Sequence, residues 1–257
     1  GTPVDEIART YPEAYFELLD RLNVLPPTHS PLATEHIDEM IDLVKQLVDR
    51  GFAYEADGDV YFRVDASADY GKLSGRRLDD QEAGARVEAS TRKENPLDFT
   101  LWKSAKPGEP KWPSPWGEGR PGWHTECVVL SRKYLGKHLD IHAGGNDLVF
   151  PHHENEIAQA EALTGEPFFR FWLHNGMLSF GGEKMSKSLG NFEYAQSVVE
   201  TYGARAVRYF YLSRHYRKPL AYAEDGLVEA EAARTRVSTL LDDVDAHVLA
   251  FTALHDG

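Results

Sequence analysis

A single cysteine, Cys127, stands in 257 residues. An intramolecular disulfide is therefore excluded, and this usage fits a reducing, cytoplasmic setting. No apolar run approaches the roughly 20 residues of a membrane-spanning helix, and no signal-peptide pattern opens the chain. Positive charge is scarce too: 28 Lys and Arg against 41 Asp and Glu leave a net charge of −13. That balance argues against non-specific DNA binding and against a basic membrane-surface module. RNA binding stays open, because it follows local patches and not the total. No internal repeat is found. What remains is a chain long enough for one sizeable core with appended elements.

The most informative segment present is Gly182-Glu183-Lys184-Met185-Ser186-Lys187-Ser188-Leu189-Gly190-Asn191. Lys184 and Lys187 stand three apart in a small, polar, glycine-flanked stretch. Each ammonium is a compact charge able to follow negative charge developing on phosphate oxygens. The two readings are a loop that closes over a polyphosphate and an ordinary solvated surface loop.

A second constellation holds metal-ligand chemistry. Cys127 ends Gly122-Trp123-His124-Thr125-Glu126-Cys127, and Pro151-His152-His153-Glu154-Asn155-Glu156 follows. If a helix begins near Pro151, His152 and Glu156 lie four apart on one face. Thiolate, imidazole and carboxylate are the donors that zinc prefers. The alternatives are a buried apolar thiol at Cys127 and a hydrogen-bonded histidine pair at a helix start.

Together these runs resemble the cysteinyl-tRNA synthetase family, a branch of the class I aminoacyl-tRNA synthetases. GWHTEC, DIHAGGNDLVFPHHENEIAQ, WLHNGM and GEKMSKSLGNF occur in that order, and the earlier TEHIDEMIDLVKQLVDRGFAYEADGDVYF and DYGKLSGR are similar as well. The resemblance implies activation of L-cysteine by ATP with Mg2+, transfer to tRNA(Cys), and one zinc held by Cys127, His152 and Glu156 that takes the substrate thiol. Metal–sulfur bonding of that kind favours cysteine over serine. It further implies that Trp123 walls the amino-acid pocket beside His152, and that Asp147 contacts the substrate amino group. Lys184, Met185, Ser186, Lys187 and Ser188 would touch ATP, with Lys184 and Lys187 as the catalytic cations. His142 and His174 are candidate contacts to ATP or the adenylate, or else ordinary hydrogen-bonded histidines. The family's HIGH-type motif and a preceding zinc-ligating cysteine do not occur in these residues. The expectation is an internal portion, lacking the fourth protein ligand and inactive alone in aminoacylation. A monomer is expected. The alternatives are the cysteine ligase of mycothiol synthesis and a non-catalytic, zinc-containing truncated paralogue.

The fold class expected is α/β: a Rossmann-like parallel sheet, its first part missing, with an inserted connecting subdomain and the start of a helical bundle. The expected divisions are a helical part over 1–51, an inserted hairpin and connective region over 52–121, the second half of the nucleotide-binding core over 122–193, and a helical region over 194–257. Helices are predicted from Val4 to Leu22 and from about Thr34 to Arg50. The second has Thr34 as N-cap and Ile37, Ile41, Val44 and Val48 as its buried stripe. Asp57-Gly58 marks a hairpin. The stretch from Asp65 to Pro121 reads as strand-poor, its Pro-rich tail pinned by Trp112 and Trp116. A helix over Thr125–Tyr134 and strands at Leu139–His142 and Phe169–Leu173 follow, with a tight turn at 143–147. From Tyr194 onward the pattern is helical. Arg205, Arg208, Arg214, Arg217 and Lys218, with Tyr209, Tyr211 and Tyr216 among them, read either as phosphate contacts with aromatic support or as the polar face of a helix with its tyrosines packed inside.

Overall fold

The structure is a computed structural model, described here for residues 4–76, 92–180, 183–184, 190 and 192–255. It divides into two compact units, residues 29–174 and residues 1–28 with 175–257. The opening helix α1 (Val4–Arg21) belongs to the second of these.

In the 29–174 unit, helix α2 (Ile37–Asp49) buries Ile37, Met40, Ile41, Leu43, Val44 and Leu47. The predicted stripe is therefore wider than expected, and Val48 is only partly buried. Thr34 is not the cap: it lies in a 3-10 turn, Ala33–Glu35, and His36 takes the N-cap position without a side-chain cap bond. The His36 ring instead binds the Leu32 carbonyl through Nδ1 (2.8 Å) and Tyr134 Oη through Nε2 (2.9 Å). The buried imidazole is thus tied at both nitrogens and anchors the entry to α2 without capping any of its free N–H groups.

Strands β1 (Ala53–Ala56) and β2 (Asp59–Phe62) form the expected hairpin, with positive φ at both Asp57 and Gly58 as a type I′ turn demands. The reading of 65–121 as strand-poor needs correction. Strands β3 (Phe99–Ser104) and β4 (Gly119–Pro121) continue the hairpin into a four-stranded antiparallel sheet of order β1-β2-β3-β4. Their partners lie far away in sequence, so local turn composition outweighed the pairing. The core joins Met40, Val44 and Leu47 of α2 to Val60, Phe62, Leu101 and Trp102 of the sheet, all fully buried, with Trp112 and Trp116 packed on its margin. Burying each such aliphatic side chain contributes about 1.5–3 kcal/mol before ordering costs.

Helix α3 (Trp123–Leu135) starts immediately after β4. Gly122, its N-cap, donates its N–H to Leu101 O at 2.7 Å, and a Cβ there would stand 2.1 Å from Thr100 O. Only glycine lets the chain turn this close to β3. Strand β5 (Leu139–Gly145) pairs with β6 (Phe169–Asn175), so residues 143–145 extend the strand; the predicted turn is confined to a 3-10 turn at Asn146–Leu148. Between these strands the chain makes a helical turn over Val149–His153, interrupted by extended backbone at Phe150. The α-helix proper, α4 (Glu154–Thr164), therefore begins three residues beyond Pro151.

The other unit gathers α1 with α5 (Ala195–Tyr202), α6 (Ala204–Leu212) and α7 (Glu224–His255) around Val198, Val199, Val207, Phe210, Leu227 and Ala230, with Leu18 and Leu22 against that cluster. Strand β7 (Leu178–Phe180) pairs antiparallel with β8 (Glu183–Lys184) and parallel with β9 (Leu220–Tyr222). The all-helical expectation beyond Tyr194 missed β9, whose three residues follow Pro219. No helix among the described residues is long and apolar enough to cross a membrane.

Candidate metal centre

Three chain segments meet at the buried start of α4. Helix α3 brings Cys127, the turn before α4 brings His152, and α4 itself brings Glu156. Cys127 Sγ lies 3.5 Å from His152 Nε2, and that nitrogen lies 2.9 Å from Glu156 Oε1. The ligand atoms of all three lie within 4.8 Å of one another. In a tetrahedron with bonds of about 2.0–2.3 Å, ligand atoms stand roughly 3.3–3.8 Å apart, so small shifts would suffice to close it on zinc.

Buried polar contacts fix how the two helices approach. Thr125 Oγ1 donates to Gln159 Oε1 at 2.9 Å between α3 and α4, and Gln159 Nε2 donates to Asn155 O at 3.0 Å. Asn155 Oδ1 accepts from Tyr70 Oη at 2.5 Å. Glu154 accepts the N–H groups of Leu73 and Ser74 at 3.3 and 2.9 Å. Residues 70–74 thus anchor the amino end of α4, a task that no periodicity in the sequence announces. The result is a helix that buries Glu154, Asn155, Glu156 and Gln159 in succession with its apolar residues.

Glu156 is 0% exposed. His152 Nε2 and His142 Nε2 stand 2.9 and 3.1 Å from its two oxygens, close enough for ion pairs, yet neither oxygen receives a hydrogen bond of acceptable angle. A buried carboxylate left so is costly, and a cation would satisfy it. Burial pushes its pKa up, but the two imidazoles outweigh burial and hold the carboxyl at about 2. Cys127 runs the other way: burial first, then the charges of Glu156 and Glu126, push its thiol up to about 12.

The histidines form two sets around this carboxylate. On the Cys127 side, His124 Nδ1 meets His152 Nδ1 at 2.7 Å, and Trp123 packs its ring on His152 at 4.4 Å between centroids. With a metal bound at Nε2, His152 would donate its Nδ1–H to His124, the tautomer such a ligand needs. Burial, then the neighbouring His152, pulls His124 down to about 4, which keeps it a neutral acceptor. On the other side, His142, His153 and Glu156 make a second set of potential ligands that the sequence reading did not assemble. His153 Nδ1 lies 2.8 Å from His174 Nε2. Burial, then the neighbouring imidazoles, hold His153 near 4 against the pull of Glu156. Gly144 of β5 is pressed on this ring: a Cβ there would lie 2.7 Å from His153 Cε1.

The structure therefore brings Cys127, His152 and Glu156 together, with Trp123 on their rim and 61% exposed. His142 and His174, read either as nucleotide contacts or as ordinary hydrogen-bonded histidines, are engaged with Glu156 and His153 respectively. His142 and His174 both meet the His153 ring, at 4.5 and 5.0 Å between centroids, a convergence that no periodicity in the sequence registers. Asp147 is exposed in its 3-10 turn. Lys184 lies in β8 opposite Ser179, in a hairpin rather than the predicted loop. Met185, Ser186, Lys187 and Ser188 lie outside the described residues.

Residues 1–232 match the family model for the catalytic domain of class I tRNA synthetases (C). A cysteine–tRNA ligase of Caldicellulosiruptor saccharolyticus is 56% identical over 245 residues, 95% of this chain and 53% of its own. One from Carboxydothermus hydrogenoformans is 56% identical over 239 residues, 93% of this chain and 51% of its own. The chain thus spans about half the length of the curated relatives it matches. Among solved structures, Mycobacterium tuberculosis methionyl-tRNA synthetase in complex with methionyl-adenylate shares the fold: the TM-score is 0.63 at 16% identity, over 89% of this chain and 56% of that one.

Proposed function

The chain belongs to the catalytic-domain family of class I tRNA synthetases (C), and from that membership we propose that its protein activates L-cysteine with ATP and Mg2+ and transfers it to tRNA(Cys). The observation that carries the substrate choice is the convergence of Cys127, His152 and Glu156 on a fully buried carboxylate that lacks well-formed hydrogen bonds. These three residues would hold a zinc ion. Bound there, it supplies a soft acceptor that prefers the thiolate of cysteine over the hydroxyl of serine.

The remaining steps fall to this chain's own groups. His124 fixes the tautomer of His152, and His142 steadies the far oxygen of Glu156. Trp123 offers an exposed aromatic wall beside them, and Asp147 carries a carboxylate for the substrate ammonium. The cysteine carboxylate attacks the α-phosphorus of ATP and pyrophosphate leaves. A carboxylate nucleophile needs no general base at neutral pH, so catalysis is positioning and charge stabilisation. Lys184 and Lys187 follow the charge gathering on the pyrophosphate oxygens, with Met185, Ser186 and Ser188 completing that segment. The adenylate then passes its acyl group to the terminal ribose of the RNA. His174 acts through His153, whose ring it holds in place.

The test is made on the full-length protein. Cys127→Ser and Glu156→Gln are expected to lower zinc affinity by more than the roughly 10–100-fold that loss of an outer-shell partner costs and to erase the preference for cysteine over serine in ATP–pyrophosphate exchange. Lys187→Ala is expected to depress exchange while zinc content stays. Zinc content and cysteine selectivity both unchanged in Glu156→Gln would overturn the reading.

A further inference from the structure

Within the 1–28 and 175–257 unit, the turn after α6 carries charge of one sign in an otherwise acidic chain. Residues 205–218 hold Arg205, Arg208, Arg214, Arg217 and Lys218 and no Asp or Glu, against a net charge of −13 for the whole chain. Arg208 is already committed, its guanidinium donating to the carbonyls of Leu22 and Asn23 at 2.6 and 3.1 Å. The others are placed differently. Residues 211–219 are exposed without interruption. Tyr211 and Tyr216 are 52% and 42% exposed, so the tyrosines are not packed inside a helix. Tyr211, Arg214, His215, Tyr216 and Lys218 line an open concavity of about 300 Å³ with Asn175, Gly176 and Leu178.

This surface is built rather than loose. Tyr216 O accepts the Gly176 N–H at 2.7 Å, Lys218 N donates to His215 O at 2.9 Å, and Leu220 N donates to Met177 O at 3.1 Å. A Cβ on Gly176 would lie 2.3 Å from Lys218 O, so the two segments are in direct contact. His215 stacks on Tyr216 at 4.8 Å, and the Arg217 guanidinium lies 5.6 Å from the same ring. Exposed rings between cations, around an open groove, match the chemistry of a nucleic acid strand: phosphates meet the cations and a base meets a ring face. A free nucleotide would be served better by an enclosed pocket.

We infer that this groove holds one unpaired nucleotide of an RNA strand, its phosphate at Arg214 and Lys218 and its base on Tyr216. The inference rests on the proposed function, since it takes the RNA to be the acceptor that the protein charges. It adds a contact site separate from the metal centre, with no residue in common.

The experiment measures fluorescence anisotropy of labelled tRNA(Cys) on the full-length protein from about 50 to 200 mM salt. Arg214→Ala and Lys218→Ala are each expected to weaken binding several-fold and to flatten the slope of log affinity against log salt by about 0.7–0.9. Tyr216→Ala is expected to weaken binding about tenfold with the slope unchanged, and Tyr216→Phe to retain it. Lys45→Ala, which removes an exposed cation from the other unit, serves as the control for bulk charge. Wild-type affinity and slope in Arg214→Ala and Lys218→Ala would overturn the inference, as would binding of inorganic phosphate or AMP at this groove as tight as that of the RNA. Cysteine-dependent ATP–pyrophosphate exchange, read alongside, needs no RNA. If wild-type protein lacks it while these variants still lose RNA affinity, the proposed function fails and the RNA site stands.

Discussion

Glu156 and Cys127 sit a few ångströms apart and are driven in opposite directions, and this makes acid and alkali separate probes of one site. In metal-free protein, a carboxyl held at about 2 contributes stability that is complete above the ordinary carboxylate range and is lost as pH falls through it toward 2. His124 and His153, held near 4, act in the same sense: the unfolded chain takes up their protons near 6.5, the folded chain only near 4, so stability declines as pH drops through that interval. Glu126, raised by burial, opposes this just above the ordinary carboxylate range. On the alkaline side the unfolded thiol ionises near 9 and the folded one near 12, so stability falls as pH rises between them. Burial raises Tyr54, Tyr70, Tyr211 and Tyr222 as well, and they extend the alkaline limb above their ordinary value of 10. Thermal unfolding of chelated protein across the pH scale is expected to show both limbs, and Cys127→Ser to lose the alkaline portion that begins near 9. An onset near 9 that survives in Cys127→Ser would refute the assignment. The three convergent residues were legible through the family resemblance of the runs that carry them; the offset of four between His152 and Glu156 left the metal reading open, because Cys127 is distant in sequence. The partnership of His142 with Glu156 was not legible, because no periodicity registers a strand against the helix that follows it.

At the scale of elements, the site depends on where α3 begins. Gly122 closes the sheet and opens that helix in one residue, with Thr100 O in the space a side chain would need. Gly122→Ala is expected to cost about 1–3 kcal/mol through overpacking and to move Cys127 away from His152. Denaturant unfolding and zinc titration check the two effects, and an unaltered zinc affinity would show that α3 is positioned by other contacts. Elements announced by short-range chemistry were readable: the apolar stripe of α2, and the Asp57-Gly58 turn with positive φ at both residues. Elements that exist through distant pairing were not. β3 and β4 lie in a stretch crowded with turn formers, and β9 pairs with β7 from some forty residues away. The kink at Phe150 was hidden for a related reason: extended backbone inside a helical turn leaves no mark on hydrophobic spacing.

For the molecule as a whole, the continuous stretch 29–174 contains the candidate ligands Cys127, His152 and Glu156 and its own core. Expressed alone, it is expected to unfold cooperatively and to gain thermal stability on adding zinc, as linkage requires of a ligand that binds only the folded state. A broad transition indifferent to zinc would show that the stretch is not self-sufficient. The partner unit is assembled from both ends of the sequence, and this has a consequence for a chain made vectorially. Leu18 and Leu22 emerge from the ribosome early, whereas the valines, Phe210 and Leu227 that shelter them are translated on the order of ten to thirty seconds later. Throughout that wait α1 lacks the later residues that cover Leu18 and Leu22 in the folded unit, while the stretch 29–174 behind it can already fold, and it is there that a nascent-chain chaperone would find its grip.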